Sequence, residues 1–273
     1  MTQFHPPDSI KGGPQGLCSP FLIHQKINHM WYLLIYAHLF ASNMQTPAPT
    51  PPPSTFAVVE LFTSQGCSSC PPADEVLSQL VDTYADSETP VYALSFHVDY
   101  WNYLGWTDPY SDAAYSQRQR NYAQALRSRI YTPQMIVNGR TEFVGSRSSE
   151  ARQHVEDAIK RAGSAVVTAS AGIQGKLVKV DLDTNAKRGV VSVALVERKV
   201  SNKVPRGENR NRTLQHDNVV RAFTQVKPSA KTAELLLPAG VDLRKSEVIV
   251  YVQEGPVGAV IGATRASIVE EAP

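Results

Sequence analysis

The chain has little cysteine, three residues among 273. That excludes a disulfide-dense scaffold. Cys18 falls in a leader-like N-terminal stretch, so only Cys67 and Cys70 remain in the body. Net charge is small, +2 at neutral pH, which points away from nucleic acid or a membrane surface as the main partner. There is no second C-x-x-C and no H-x-x-x-H, so a four-coordinate zinc site lacks its remaining ligands at close spacing. The apolar run from Trp31 to Ala41, interrupted by His38, is too short to span a bilayer, and no stable membrane span is expected. Internal repeats are missing as well. A hydrophobic content of 42% against 19% charged residues is enough for a globular core and argues against wholesale disorder.

The first 54 residues read apart from the rest. Residues 45–53, Gln-Thr-Pro-Ala-Pro-Thr-Pro-Pro-Pro, form a proline-rich linker, extended and solvated. Ahead of it, Trp31–Ala41 suits the apolar region of a secretory signal peptide, with Met30 as a candidate start or Lys26 as the leading charge. The alternative is a short N-terminal helix. Export would make the protein secreted or periplasmic and place Cys67 and Cys70 in an oxidising compartment.

Two domains are expected after residue 54. Over 55–164 the pattern alternates strand and helix. Phe56–Phe62 and Pro90–Val98 read as strands of a buried parallel sheet. Ala73–Tyr84, Ser111–Arg129 and Ser149–Ala162 carry apolar residues at helical spacing. Pro71 and Pro72 suit a first helical turn, and Ser111 can cap the second helix. Met135–Asn138 and Glu142–Val144 read as a hairpin around Asn138-Gly139. The order β-α-β-α-β-β-α predicts a three-layer α/β domain. Over 165–273 the period becomes two: Val178, Val180 and Leu182 alternate with charged residues, as do the runs around Val193 and Val250. That predicts an antiparallel sandwich-like β domain.

The string Val-Val-Glu-Leu-Phe-Thr-Ser-Gln-Gly-Cys-Ser-Ser-Cys, residues 58–70, carries the chemistry. Two cysteines at C-x-x-C spacing, where a strand meets a helix, can cycle between dithiol and disulfide. The free N–H groups and partial positive charge of a helix N-terminus favour a thiolate there. A structural disulfide or half of a metal site is the alternative.

The N-terminal body resembles the thioredoxin-like fold: the strand–C-x-x-C–helix unit, Tyr131-Thr132-Pro133 ahead of the strand Met135-Ile136-Val137, and the closing hairpin and helix. More closely, the chain resembles the DUF1223 family, through residues 58–74, Phe-His-Val-Asp-Tyr-Trp (96–101), Leu-Gly-Trp-Thr-Asp-Pro (104–109), Tyr-Thr-Pro-Gln-Met (131–135) and Gly-Glu-Asn-Arg (207–210). The resemblance implies a thioredoxin-like α/β domain followed by the β domain, and a redox site without an established substrate. It implies that Thr132-Pro133 faces the cysteines. A cis Pro133 would leave the edge of residue 132 open to an extended peptide.

On this reading Cys67 is the nucleophile and Cys70 the resolving thiol. Strand ends that share a sheet edge place His97, Asp99, Tyr100 and Trp101 beside Cys67. His97 stabilises the thiolate or shuttles a proton, or is an ordinary strand-end histidine. Asp99 orients His97 or acts as a base when Cys70 is deprotonated, or caps the following turn. Tyr100, Trp101, Tyr103 and Trp106 line a substrate groove, or simply pack their loop. The helix bearing Arg118, Arg120, Arg127 and Arg129 shapes the active edge, or exposes a solvated basic face. Arg210, Arg212 or His216 reaches the site from the polar connection 205–217. The expected partners are protein or small-molecule thiols and disulfides, with no cofactor. The alternatives are a non-catalytic envelope or binding protein with a structural disulfide, and a Cu(I)-handling protein using Cys67, Cys70 and His97.

Overall fold

A computed structural model describes residues 54–269. The leader-like run, Cys18 and the proline-rich stretch 45–53 lie outside the described residues. No helix among the described residues is long and apolar enough to cross a membrane.

From 57 to 159 the elements follow the expected order. They are β1 (Ala57–Thr63), α1 (Pro71–Thr83), β2 (Val91–His97), α2 (Ala113–Leu126), β3 (Gln134–Val137), β4 (Thr141–Val144) and α3 (Ser148–Ile159). β1 runs parallel to β2 and antiparallel to β3. Both β1 and β2 are buried along their whole length, because helices cover both faces of this part of the sheet. α1 starts on Pro71 and Pro72 and buries Val76, Leu77, Leu80 and Val81 on one face. α2 is capped by Asp112, which accepts from the Ala114 N–H, rather than by Ser111.

Nine strands follow: β5 (Val167–Gln174), β6 (Leu177–Thr184), β7 (Val190–Glu197), β8 (Val200–Lys203), β9 (Thr213–His216), β10 (Val219–Val226), β11 (Thr232–Leu236), β12 (Ser246–Gln253) and β13 (Val260–Val269). The expected thioredoxin-like α/β domain with a separate β-sandwich is not what forms. One mixed sheet of eleven strands runs β11-β6-β5-β13-β12-β7-β10-β2-β1-β3-β4, with β8–β9 as a detached ribbon. The join is β10 against β2, at Val219 and Ser95.

The physical reason lies in β7 and β12. Alternation in the sequence marks Val191, Val193 and Leu195 as inward, but Ser192, Ala194 and Val196 between them are buried too. Their second face is occupied by the first half of the chain. A single apolar cluster unites Phe62, Phe96 and Tyr122 with Ala194, Val196, Ile249 and Tyr251.

A buried charge pair sits inside that cluster. Glu60 of β1 accepts two bonds from Arg118 of α2, at 2.7 and 2.9 Å. Arg118 also donates to Tyr251 Oη at 3.0 Å and Gln253 Oε1 at 2.8 Å. Its guanidinium lies 4.8 Å from the Phe223 ring centre and 5.1 Å from that of Tyr122. The expected solvated basic face of α2 therefore excludes Arg118, which ties β1 to β10 and β12 through α2.

Candidate functional site

β1 delivers the chain into the turn 64–70. Ser64 accepts there from the Gly66 N–H through its hydroxyl, at 3.1 Å, and from the Cys67 N–H through its carbonyl, at 3.2 Å. Gly66 is required by close approach: a Cβ there would stand 2.8 Å from Trp101 Cβ. Cys67 and Cys70 form a disulfide with their Cα atoms 5.4 Å apart. The Cys70 carbonyl accepts from Ala73 and Asp74 and so opens α1. Between the cysteines, Ser68 and Ser69 are exposed, whereas the cysteines are 1% and 0% exposed.

Thr132 stands over Cys67, and the Thr132–Pro133 peptide is cis. The Thr132 hydroxyl donates to Cys67 Sγ at 3.3 Å and accepts from Trp101 Nε1 at 2.9 Å. The Ser69 hydroxyl lies 3.3 Å from the same sulfur. Two loops from different parts of the chain thus meet at one sulfur atom.

The polar connection from the second half reaches this turn, chiefly through Glu208 and Asn209 of the string 207–210. Glu208 accepts from the Ser68 N–H at 2.8 Å. That contact with Ser68 holds the Glu208 carboxyl below the usual range. Asn209 is buried and donates to the carbonyls of Gln65 and Cys67, at 2.9 Å each. Arg212 braces Asn209 at 2.8 Å, while Arg210 is exposed. The long polar segment and the string 207–210 were the sequence signals, and neither says which side chain turns inward.

Beneath the turn lies a buried polar layer. His97 Nδ1 is 2.7 Å from Asp108 Oδ2, and both residues are fully shielded. Burial alone would lower the His97 pKa, but the Asp108 charge and hydrogen bond outweigh it and hold it above its ordinary value. For Asp108 burial pushes upward, yet the pairing with His97 and N–H bonds from Gln65 and Tyr110 bring it below. The expected partner of His97, Asp99, is instead hydrogen-bonded to Ser116 of α2. His216 of β9 packs its ring edge-on to His97, with centres 4.7 Å apart. Its Nδ1 is 3.4 Å from Asp74 Oδ2 of α1. Gln65 joins the layer to the turn: its amide meets Asn202 and His216, and accepts from Trp106 Nε1 at 3.0 Å. Tyr100 donates to Gln119 at 3.1 Å, and only Tyr103 of the aromatic loop is well exposed, at 78%. The loop is therefore packed down more than it is open. Asp108 and Asp74 were missed because an isolated aspartate in a loop or first helical turn reads as a cap.

Among the described residues no group of three or more His, Cys, Asp or Glu side chains is arranged to hold a metal ion. The His97 ring is engaged with Asp108 and His216, so the copper reading gains no support from the geometry.

The disulfide turn, the Thr132 loop and the buried histidine layer define a mixed-sheet protein with one cysteine pair at its chemical centre. The family model described as "Protein of unknown function (DUF1223)" matches residues 58–253, and the chain belongs to that family. A crystal structure of a protein from Agrobacterium tumefaciens is 32% identical, with a TM-score of 0.60, covering 81% of this chain and 97% of its own. HBP35 of Porphyromonas gingivalis is similar at 14% identity and a TM-score of 0.58, over 80% of this chain and 77% of its own. That likeness concerns the fold alone. No curated protein matches the chain.

Proposed function

We propose that the chain is a secreted or periplasmic thiol–disulfide oxidoreductase that uses Cys67 as nucleophile and Cys70 as resolving thiol. The observation that carries this reading is the hydroxyl of Thr132 aimed at Cys67 Sγ. A hydroxyl donor beside a sulfur stabilises that sulfur as a thiolate, the reactive form. The start of α1 at Cys70 acts in the same sense. In each cycle a substrate thiolate attacks Cys67 and the Cys67–Cys70 bond breaks, or the reverse. Partners on this reading are protein or small-molecule thiols and disulfides.

A second reading has one observation in its favour. Both cysteines are shielded from solvent, as in a non-catalytic protein whose disulfide pins the turn. Equilibration with glutathione, followed by thiol alkylation, separates the two. An oxidoreductase gives an equilibrium within the range of known redox proteins, with Cys67 alkylated faster than Cys70. A pair that glutathione leaves untouched at every ratio rules the redox reading out.

A further inference from the structure

Glu208 lies directly on the cysteine turn. Its Oε2 accepts from the Ser68 N–H at 2.8 Å. That N–H belongs to the peptide unit leaving Cys67, so covalent geometry alone keeps the carboxylate within about 7 Å of Cys67 Sγ. The residue after it fixes its place. Asn209 is fully buried and donates to the Gln65 and Cys67 carbonyls, and Arg212 in turn donates to the Asn209 side-chain oxygen. Arg206 and Arg210 flank Glu208 in the chain. Neither forms an ion pair with its carboxylate among the described residues, and the contact with Ser68 is what holds its pKa down.

The other side chains at Cys67 Sγ are neutral: the Thr132 and Ser69 hydroxyls lie 3.3 Å from it. Among the described residues Glu208 is the one charged side chain hydrogen-bonded to the segment 67–70. It is exposed, as are Ser68 and Ser69. Cys67 itself is shielded, so a sulfur compound approaching the disulfide meets these exposed neighbours first. A glutamine would hold the same N–H, so the hydrogen bond by itself does not call for a charge. An exposed charge beside a reacting atom attracts partners of opposite sign and disfavours those of the same sign.

We propose that Glu208 is the specificity-determining residue of the disulfide site: it selects thiols and disulfides that carry a positive charge beside the sulfur, such as a cysteine flanked by lysine or arginine in a peptide, and disfavours anionic ones. The inference rests on the oxidoreductase reading and names its substrate class. The chemistry balances as follows. In the reduced protein the Cys67 thiolate bonds to one sulfur of a substrate disulfide. The substrate S–S bond breaks, and its electron pair leaves on the released thiolate. Cys70, its proton given to water, then attacks Cys67 Sγ and expels the second substrate thiolate. The substrate is reduced and the Cys67–Cys70 bond is remade. Charge on the half that bonds to Cys67 stands near Glu208 throughout. At about 7 Å in water, each unit of that charge changes the rate about threefold.

The test reoxidises the reduced full chain with three small disulfides at pH 7: cationic cystamine, neutral hydroxyethyl disulfide and anionic dithiodipropionate. Rates are compared between wild type and Glu208→Gln, which keeps an acceptor for the Ser68 N–H. The ratio of the cystamine rate to the dithiodipropionate rate should fall about tenfold in the variant, for the two-charge difference between the halves that meet Cys67. The intrinsic reactivity of each reagent, and any change in the Cys67 thiolate, cancel in this comparison. In the wild type, raising the ionic strength from 0.01 to 1 M should lower the same ratio, because salt screens exposed charges. A ratio that the substitution leaves unchanged, or that salt does not move, overturns the inference and leaves the oxidoreductase reading standing. Reduced protein that none of the three disulfides reoxidises defeats that reading, and the inference with it.

Discussion

Thr132 donates its hydroxyl to Cys67 Sγ at 3.3 Å, across 65 positions of sequence, while the same oxygen accepts from Trp101. The donor is thus oriented from behind, with little freedom to turn away. Thr132→Val keeps the shape and removes the hydrogen bond. Alkylation of Cys67 in the reduced protein at neutral pH should slow about tenfold, the equivalent of about 1.4 kcal/mol lost from the thiolate. An unchanged rate would mean that the hydroxyl does not act on the sulfur.

Asn209 holds the cysteine turn from the second half of the chain by two bonds to main-chain carbonyls. Asn209→Ala leaves both carbonyls without that donor. A loss of about 1–3 kcal/mol of local stability follows, and the turn opens more often. Reduction of the disulfide by dithiothreitol should be about tenfold faster than in the wild type, on the same scale of local free energy. Equal rates would show that the polar connection rests on the turn without restraining it.

How far the sequence was legible is visible in these same residues. The elements through 159 could be read because each announces itself locally: proline at a helix start, apolar residues at helical spacing, Asn-Gly at a hairpin. The C-x-x-C turn was legible for the same reason, whereas the place of Thr132 was implied only by the family resemblance. The joining of the two halves was not legible. It depends on one short parallel pairing, Val219 with Ser95, and on small residues such as Ser192 and Ala194 whose burial is decided by what packs over them. Asp108 was equally hidden, since nothing in Thr-Asp-Pro distinguishes a partner for His97 from a turn residue.

Glu60 and Arg118 give a test of that joining. Arg118→Met removes the cation from a carboxylate that is 1% exposed. Leaving a buried charge unpaired costs about 3–5 kcal/mol. The midpoint of urea unfolding should fall accordingly. Adding Glu60→Gln should recover part of the loss, because the uncompensated charge is gone. A single variant within about 1 kcal/mol of the wild type would be incompatible with a buried, paired charge of this kind.

His97 and Asp108 set a pH window for stability. The His97 pKa is raised above its ordinary 6.5 by its partner. Its contribution is therefore complete below about pH 6.5 and fades as pH climbs through the higher folded value. Asp108 is lowered from its ordinary 3.8. Its contribution is complete above about pH 4 and disappears as pH falls through the lower folded value. The pair stabilises most between those limits. Asp108→Asn keeps a side-chain oxygen for the Gln65 N–H but removes the charge that holds the His97 proton. The stability difference between wild type and variant should be greatest between about pH 4 and 6.5 and shrink on both sides. Chemical denaturation at a series of pH values measures it. A difference that is flat from pH 4 to 9 would mean that His97 is neutral throughout and that Asp108 serves only as an acceptor for the turn.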